Sequence, residues 1–262
     1  MMNEINKPEI QLYSIGNIAA KDAQVVFEIL EKPNWAPWLA ASPQTIAGRA
    51  EVFPAGQLLA KDIRGFPMAC LSMNRINWNG DPASLPSWDE VAGDPTTYEN
   101  TYKPEGNTLA LMSMNVNPDH QREGYARKLI EQAKLLGLKL PGISYVIGSF
   151  RPNEYGKYKL EGSDHLIDFN SYCEMRREDG LPVDGWLRNL TRNGMKPIKV
   201  DPKAMVVTLS LEEFLKLQKS HYSLPWVEIS PGTWECGEVG NWVLDNEHGT
   251  VIYKESNLWG KL

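Results

Sequence analysis

The middle of the chain contains two apolar runs separated by a stretch with helical periodicity. Residues 108–116 are mostly apolar and favour a strand, which Asn117-Pro118 ends. From Gly124 onward, apolar residues recur on one helix face, at Ala126, Leu129, Ile130, Ala133, Leu136 and Leu138. Pro141-Gly142 ends this helix, and residues 143–150 form the second apolar run. The pattern predicts a strand, a turn, an amphipathic helix and a second buried strand.

The segments before this central unit predict one strand, one helix and a hairpin. We expect the strand within residues 10–18 and the helix within residues 19–31, whose apolar face is Ala23, Val26, Phe27 and Leu30. Residues 57–61 and 66–76 carry apolar residues on both sides of a turn, which is typical of a hairpin.

The segments after the central unit predict shorter elements. Helices are expected at 168–177, 185–192 and 211–219, a closing pair of strands at 196–200 and 205–209, and short strands at 234–238, 241–244 and 251–254. Long insertions are expected near residues 78–106 and 151–185. The chain is therefore predicted to be α/β with a mixed α+β sheet. Residues 1–220 form its main domain, and residues 221–262 form a small β-rich extension packed on that core.

The turn between the first central strand and the helix carries the candidate chemistry. Residues 121–126 have the form Q-x-x-G-x-A and straddle the start of the helix. Backbone N–H groups at a helix N-terminus are unpaired and favour anions, and glycine lets a ligand approach the backbone closely. Arg122 adds a charged donor. A glycine turn alone most often only connects two elements, but this order of elements predicts a pyrophosphate cradle.

In this setting the motif resembles the coenzyme A motif of the GNAT acyltransferase superfamily, Q/R-x-x-G-x-G/A. Residues 192–197 and 204–210 resemble the helix end and the final strands of that family, with Asn-Gly-Met in place of the usual Leu-Gly-Phe. The resemblance extends over residues 10–212. It implies a GNAT-like acyl-CoA transferase fold, in which acyl-CoA lies in a splay between the two central strands.

The resemblance also implies a set of cofactor-binding residues. They are Met114 and Val116 on the first central strand, Gln121, Arg122, Glu123, Gly124, Tyr125 and Ala126 in the cradle, and Asn153 after the second central strand. Asn153 with Gly156 loosely matches the family's N-x-x-A. The implied co-substrate is acetyl-CoA or another acyl-CoA, and no metal is expected.

The catalytic groups depart from the family pattern. Four residues before Gly194, where the family often has a proton-donating tyrosine, stands Leu190. Tyr155 or Tyr158 in the insertion is a candidate replacement, and the other interpretation is that each is an ordinary packed or surface tyrosine. The first central strand carries no Asp, Glu or His, so its candidate catalytic residues are Ser113 and Asn115.

Other residues allow more than one role. His120 at the cradle suits phosphate contact or plain exposure better than base duty, and His165 lies in the second insertion. Trp35 and Trp38 are candidates for the wall of the acceptor pocket or for packing against the sheet. The insertion near 78–106 is expected to be a lid over the site or an inert excursion.

Composition narrows the class of protein. The chain has 262 residues and a net charge of −6, so general binding to nucleic acid is not expected. No apolar run reaches the length of a membrane span, and the N-terminal sequence lacks the layout of a signal peptide. Three cysteines without metal or redox spacing favour a reduced, cytoplasmic setting.

Three functions remain open from the sequence. The first is transfer of an acyl group from acyl-CoA to an unknown small-molecule or carrier-bound acceptor. The second is acyl loading or decarboxylation of the polyketide type, for which the resemblance implies a histidine and a threonine in the pocket; Ser149 stands on the second central strand instead. The third is a non-catalytic acyl-CoA-binding module. An acyl carrier protein as partner and a homodimer also remain open.

Overall fold

The computed structural model describes residues 13–93, 96–161 and 167–262. The start of the predicted first strand, residues 10–12, and His165 lie outside the described residues. The strands are β1 (Tyr13–Asn17), β2 (Gln57–Asp62), β3 (Pro67–Ile76), β4 (Thr108–Val116), β5 (Tyr145–Phe150), β6 (Lys196–Ser210), β7 (Val227–Ser230), β8 (Thr233–Glu235), β9 (Asn241–Asp245) and β10 (Thr250–Lys261). The α-helices are α1 (Ala23–Val26), α2 (Pro43–Val52), α3 (Trp88–Ala92), α4 (Tyr125–Lys139), α5 (Tyr155–Glu161), α6 (Phe169–Glu174), α7 (Gly185–Arg192) and α8 (Leu211–Ser220).

The described strands form one mixed sheet. Its order is β1-β2-β3-β4-β5-β10-β9-β8-β7, and β6 pairs with β10. The central pair, β4 and β5, is parallel and is joined through α4, as the sequence predicts. The remaining pairs are antiparallel, so the predicted α/β class with a mixed sheet is confirmed.

The two central strands separate before they end. Their pairing stops at Leu111 opposite Gly148, although β4 continues to Val116. A bulge lies at the same level, because Ser72 pairs with Ser113 whereas Met73 pairs with Leu111, which leaves Met112 as an extra residue. The far halves of β4 and β5 therefore diverge and leave a cleft between them.

The prediction of a closing strand pair at 196–200 and 205–209 is wrong. Both segments belong to the single strand β6, and its partner is β10, which lies between β5 and β6. The short strand predicted at 251–254 is the first part of this 12-residue strand. Periodicity indicates that a segment is extended, but it does not indicate which distant strand it will pair with. The last strand of the C-terminal segment thus lies inside the sheet.

Helices cover both faces of the sheet. One core cluster packs α4 and α7 on one face, through Leu129, Ile130, Leu187 and Leu190. On the other face, one cluster contains α3 and α8 with several tryptophans, and a neighbouring one contains α1 and α2. Among the residues that the structure describes, no helix has the length and apolar character needed to cross a membrane.

The described residues of the insertion, 78–93 and 96–106, form neither a lid nor an inert excursion. Trp88, Leu85 and Val91 are buried in the second cluster, and the Trp88 indole donates to the carbonyl of Met112 over 2.8 Å. The carboxylate of Asp201 on β6 accepts from the backbone N–H of Trp88 over 2.8 Å. The insertion therefore completes the core and packs against β6, away from the cleft.

Candidate functional site

A cleft of about 900 Å³ opens where β4 and β5 diverge. It is lined by the end of β4, the cradle, the residues after β5, the start of α7 and the loop after α1. The sequence-predicted residues among its lining are Ser113, Met114, Asn115, Val116, Gln121, Arg122, Gly124, Tyr125, Ala126 and Asn153. The structure therefore brings ten of the twelve predicted site residues to one surface.

The cradle lies at the N-terminus of α4. Gly124 is the N-cap residue, has the left-handed φ of 86°, and makes no side-chain cap hydrogen bond. A Cβ built on Gly124 would meet nothing within 4 Å, so the space in front of this backbone is open. Arg122 also has a positive φ, 70°, which is uncommon for a residue with a side chain and is found in loops with specific roles. The loop is thus shaped to leave the first N–H groups of α4 accessible.

The charges around this helix start favour an anion. The first turn of α4, a helix of 15 residues, contains no acidic residue. Arg122 and Arg127 line the cleft beside it, and Arg127 lies 3.5 Å from Glu131 in an exposed ion pair. Unpaired helix N–H groups and two guanidinium groups together form an environment suited to phosphate oxygens.

The open edge of β4 presents backbone groups to the cleft. Backbone groups alternate in direction along a strand. The N–H of Asn117 donates to Met68 on β3, so the N–H groups of Ser113 and Asn115 point the same way. Those of Met114 and Val116 therefore face the side where β5 has separated. The carbonyl of Val116, on that side, accepts from the Asn34 amide over 3.0 Å.

A buried carboxylate supports the opposite wall of the cleft. Glu31 is 4% exposed and accepts from the backbone N–H of Ala41 over 2.8 Å and from the side-chain amide of Asn115 over 2.5 Å. Asn115 in turn accepts from the indole N–H of Trp35 over 2.7 Å. Burial raises the pKa of Glu31 above its ordinary value, although its hydrogen bonds and the field of Arg49 oppose the shift.

A second charge network holds the end of β5. Arg151 follows this strand, lines the cleft and lies over the Trp35 ring, 5.6 Å from its centroid. Its guanidinium donates to Glu238 and, over 2.8 Å, to the fully buried Glu255. The hydroxyl of Tyr253 donates to the other oxygen of Glu255 over 2.6 Å. All three partners come from the C-terminal segment, which therefore supports the cleft wall.

Two hydroxyl groups flank the point of divergence. Ser113 on β4 and Ser149 on β5 both line the cleft. The Ser149 hydroxyl lies 3.2 Å from the amide of Asn257. With its oxygen toward Ser149, that amide also donates to the Ser256 carbonyl over 2.9 Å, so Ser149 is the donor of this pair. Its oxygen lone pairs remain free to accept a hydrogen bond from a ligand.

Two of the predicted residues, Tyr158 and Glu123, lie outside the cleft lining, and so do Leu190 and Tyr155. The Tyr158 ring packs against Tyr172, with centroids 5.2 Å apart, and does not line the cleft. Glu123 is exposed and lies 3.2 Å from His120. Leu190, at the position of the family's tyrosine, is fully buried in the core. Tyr155 donates to the carbonyl of Ile167, and burial raises the pKa of its phenol to about 12.

Sequence reasoning missed Glu31, Arg151 and the α7 residues that line the cleft, namely Gly185, Trp186, Arg188 and Asn189. Glu31 has the pattern of a helix residue in the sequence, and nothing local shows that Asn115 will cover it. Arg151 directly follows the second central strand, which was a usable signal. Of the described residues that line the cleft, Glu154 is the one carboxylate, so it is the one acidic side chain there that can serve as a general base.

Comparisons with known proteins agree on the fold. No protein-family model matches the sequence, and no curated protein matches it significantly. The loading GNATL domain of CurA from Lyngbya majuscula superposes with a TM-score of 0.60 at 20% identity, covering 72% of this chain and 87% of that domain. The GphF GNAT-like decarboxylase, solved with isobutyryl-CoA, gives a TM-score of 0.60 at 17% identity, covering 92% of this chain and 98% of that one.

A third structure is larger than this protein. Malonyl-CoA decarboxylase from Agrobacterium vitis gives a TM-score of 0.54 at 12% identity, covering 94% of this chain and 60% of that one. The superpositions establish the architecture, but at identities this low they leave the reaction open. The splayed central strands, the cradle at the start of α4 and these superpositions lead to one conclusion: the chain has the fold of the GNAT superfamily.

Proposed function

We propose that this protein is an acyltransferase that binds an acyl-CoA thioester in the cleft, acetyl-CoA being the first candidate. The proposal depends on one observation: the uncapped start of α4, with open space in front of Gly124, lies at the mouth of the splay between β4 and β5. The pyrophosphate would lie at residues 121–126. The pantetheine arm would run between the strands, toward the N–H groups of Met114 and Val116.

The reaction can be written with the groups that line the cleft. An amine, hydroxyl or thiol of the acceptor attacks the thioester carbonyl, a new bond to the acyl carbon forms, and the C–S bond breaks. A backbone N–H of β4 would stabilise the oxyanion, which is a large contribution in such reactions. The leaving CoA thiolate needs no buried acid, because a thiol has a pKa of roughly 8.5 and water can protonate it. The acceptor's proton leaves to water or to Glu154.

The first experiment is titration of CoA and acetyl-CoA into the wild type and into Gly124→Trp. We expect micromolar binding by the wild type, about −8 kcal/mol, and a loss of at least about a hundredfold in the variant. The matched control is Gly249→Trp. Gly249 also has a positive φ, 64°, with nothing within 4 Å of an added Cβ, but it lies in the turn between β9 and β10.

The control separates two explanations of lost binding. Backbone strain from a side chain at positive φ affects both variants, whereas obstruction of the cradle affects only Gly124→Trp. Equal loss of binding in the two variants, or no binding by the wild type, would overturn the proposal. Transfer itself is then tested by following CoA release with a panel of amine, hydroxyl and thiol acceptors.

A second candidate function is acyl loading or decarboxylation. It is favoured by the three structural neighbours described above, which are named as a loading domain or as decarboxylases. Ser149 stands on β5 where such chemistry is expected to use a histidine, which weighs against it. Release of carbon dioxide from malonyl-CoA without an added acceptor would favour this candidate over simple transfer. Tight CoA binding without turnover of any thioester would instead indicate a binding module.

A further inference from the structure

We propose that Glu31 is a positioning residue of this cleft. It fixes the orientation of Asn115 and, through Asn115, that of Trp35 in the cleft wall opposite the cradle (the Trp35 wall). The inference rests on the proposed function, because the wall is where an acceptor would meet the acyl group. Glu31 itself does not line the cleft, whereas Asn115, Trp35 and Asn34 do. Its carboxylate therefore acts through other side chains.

The hydrogen bonds of Asn115 can run in only one direction. An indole N–H can only donate, so the Asn115 side chain must turn its oxygen to Trp35. An ionised carboxylate can only accept, so the amide nitrogen must face Glu31. The chain of bonds runs from Trp35 through Asn115 to Glu31, and the Ala41 N–H closes the other side of the carboxylate. A neutral amide at position 31 would remove one of the two conditions that fix this direction.

The backbone around Glu31 is also unusual. Residues Phe27–Glu31 form a π-helical turn that directly continues α1, and the N–H of Lys32 donates to the carbonyl of Phe27 over 2.9 Å. π-Helical turns are rare in proteins, and those that occur are often found at functional sites. An extra residue in a helical turn rotates the following residues by roughly 100° about the axis. Here Glu31 lies beneath the cleft wall, next to the fully buried Leu30.

The electrostatic setting of Glu31 does not favour stability. The charged groups that act on it are few: Arg49 on α2 stabilises its charge, while Cys70 on β3 and Tyr98 are neutral neighbours whose own pKa values its charge raises. A carboxyl whose pKa is raised by burial lowers the free energy of unfolding as pH rises above its ordinary range. Packing alone gives no reason for an ionised group here, whereas orientation of Asn115 does.

The test is a pair of variants that breaks the chain of bonds and then rebuilds it. Ala41 and Asn115 donate to different oxygens of the Glu31 carboxylate. In Glu31→Gln one of these oxygens becomes an NH2 group, which can only donate, so one of the two donors loses its acceptor. The double variant combines Glu31→Gln with Asn115→Asp. There the introduced amide accepts from Ala41 through its oxygen and donates through its nitrogen to the introduced carboxylate, which also accepts from Trp35. Every hydrogen bond that links Trp35, position 115, position 31 and Ala41 is restored, and the carboxylate now stands at position 115. Glu28→Gln, an exposed neighbour paired with Lys32, is the matched control.

Two measurements are made on each variant. The first is the ¹⁵N indole N–H signal of Trp35, assigned with Trp35→Phe, because it reports this hydrogen bond whether or not the protein is active. We expect Glu31→Gln to shift it upfield and the double variant to return it. The second is kinetics: Glu31→Gln should lower kcat about tenfold to a hundredfold while the Kd for CoA stays within about twofold, because the cradle is not part of the chain of bonds.

The pH profile distinguishes positioning from packing. Wild-type kcat should fall on the acid side as Glu31 is protonated, at a pH above the ordinary carboxyl range; this limb should be absent in Glu31→Gln and return in the double variant. An unchanged indole signal and kcat in Glu31→Gln would overturn the inference. So would loss of CoA binding and activity together with no recovery in the double variant. If the wild type turns over no thioester, the proposed function fails, and the indole signal alone then decides whether Glu31 orients Trp35.

Discussion

The two ends of the cleft are built in different ways. The cradle consists of six consecutive residues, Gln121–Ala126, and its proposed contacts come mainly from backbone N–H groups at the start of α4. The Trp35 wall consists of side chains from four separate parts of the chain: the loop after α1, β4, the end of β5 and the C-terminal segment. Trp35 and Asn115 are 80 positions apart, and Arg151 and Glu255 are 104 apart.

This difference explains what each end can tolerate. A backbone cradle needs little from its side chains, apart from glycine where the backbone must stay open. A wall of buried, interlocked polar side chains depends on every partner, because a buried charge or amide left unpaired costs free energy. We therefore expect substitutions at the cradle to change CoA affinity with little effect on stability, and substitutions at the wall to change stability and turnover with little effect on CoA affinity.

The largest effect should come from Glu255→Ala. Glu255 is fully buried and accepts from both Arg151 and Tyr253. Its removal leaves the guanidinium with Glu238 alone and leaves the Tyr253 hydroxyl without its acceptor. Breaking a buried pair in this way costs about 3–5 kcal/mol. Denaturant unfolding should show this loss in the free energy of unfolding.

The control for Glu255→Ala is an ion pair at the other end of the cleft. Glu131 pairs with Arg127 over 3.5 Å, and both side chains are more than half exposed. Exposed pairs of this kind contribute little, so Glu131→Ala should cost less than about 0.5 kcal/mol. Similar losses for the two alanine variants would contradict the contrast between the cradle and the wall.

A smaller effect is expected at Trp38, which anchors the loop that carries Trp35. Its ring lies 5.6 Å from Trp242, 5.9 Å from Trp226 and 6.0 Å from Tyr253, so this loop packs on the C-terminal segment. Trp38→Ala removes these contacts and should cost about 2–3 kcal/mol, below the value for a fully buried ring because Trp38 is half-buried. CoA affinity should not change.

Trp38→Phe separates ring packing from hydrogen bonding. The Trp38 indole nitrogen is buried and makes no hydrogen bond to any described residue. A phenylalanine keeps most of the ring contacts and removes this unsatisfied donor, so its net cost should stay below about 1 kcal/mol. A cost equal to that of Trp38→Ala would mean that the indole has a partner, such as water, that holds the loop.

The sequence predicted the parts of the molecule whose determinants are local. The β4–α4–β5 unit follows from its periodicity, and the cradle follows from Gly124 at the start of an amphipathic helix. The open backbone there agrees with that expectation, although ligand contact at these residues stays a prediction. The fold class could be predicted because the central motif is short in sequence and recurs with one architecture.

The remaining features depend on contacts between distant segments. The pairing of β10 with both β5 and β6 is not visible in the alternation of residues 250–261, which any neighbouring strand would satisfy. Tyr158 was a reasonable candidate by residue type, but its helix packs it against Tyr172. Glu31 could not be found from its sequence neighbourhood, because its partner Asn115 lies 84 positions away.

A small effect of opposite sign, a gain in stability, should come from Asp89, which helps to hold the 78–106 insertion on β6, outside both ends of the cleft. Its carboxylate accepts from the backbone N–H of Val206 over 2.9 Å. Burial, reinforced by the nearby charges of Asp201, Glu255 and Glu90, raises the pKa of Asp89 from 3.8 to about 6. The folded state therefore binds this proton more tightly than the unfolded state, and the free energy of unfolding should fall as pH rises from about 4 to about 7.

Asp89→Asn keeps an acceptor for Val206 and removes the buried charge. It should raise the free energy of unfolding at pH 8 by about 1 kcal/mol, a value reduced for solvent screening of a partly exposed group. Near pH 4 the wild-type carboxyl is already protonated, so the two proteins should then be equally stable. Urea unfolding at the two pH values measures the difference. A gain of the same size at both pH values would mean that the substitution acts through packing or through the unfolded chain. Ionisation of Asp89 would then not weaken the contact between the insertion and β6.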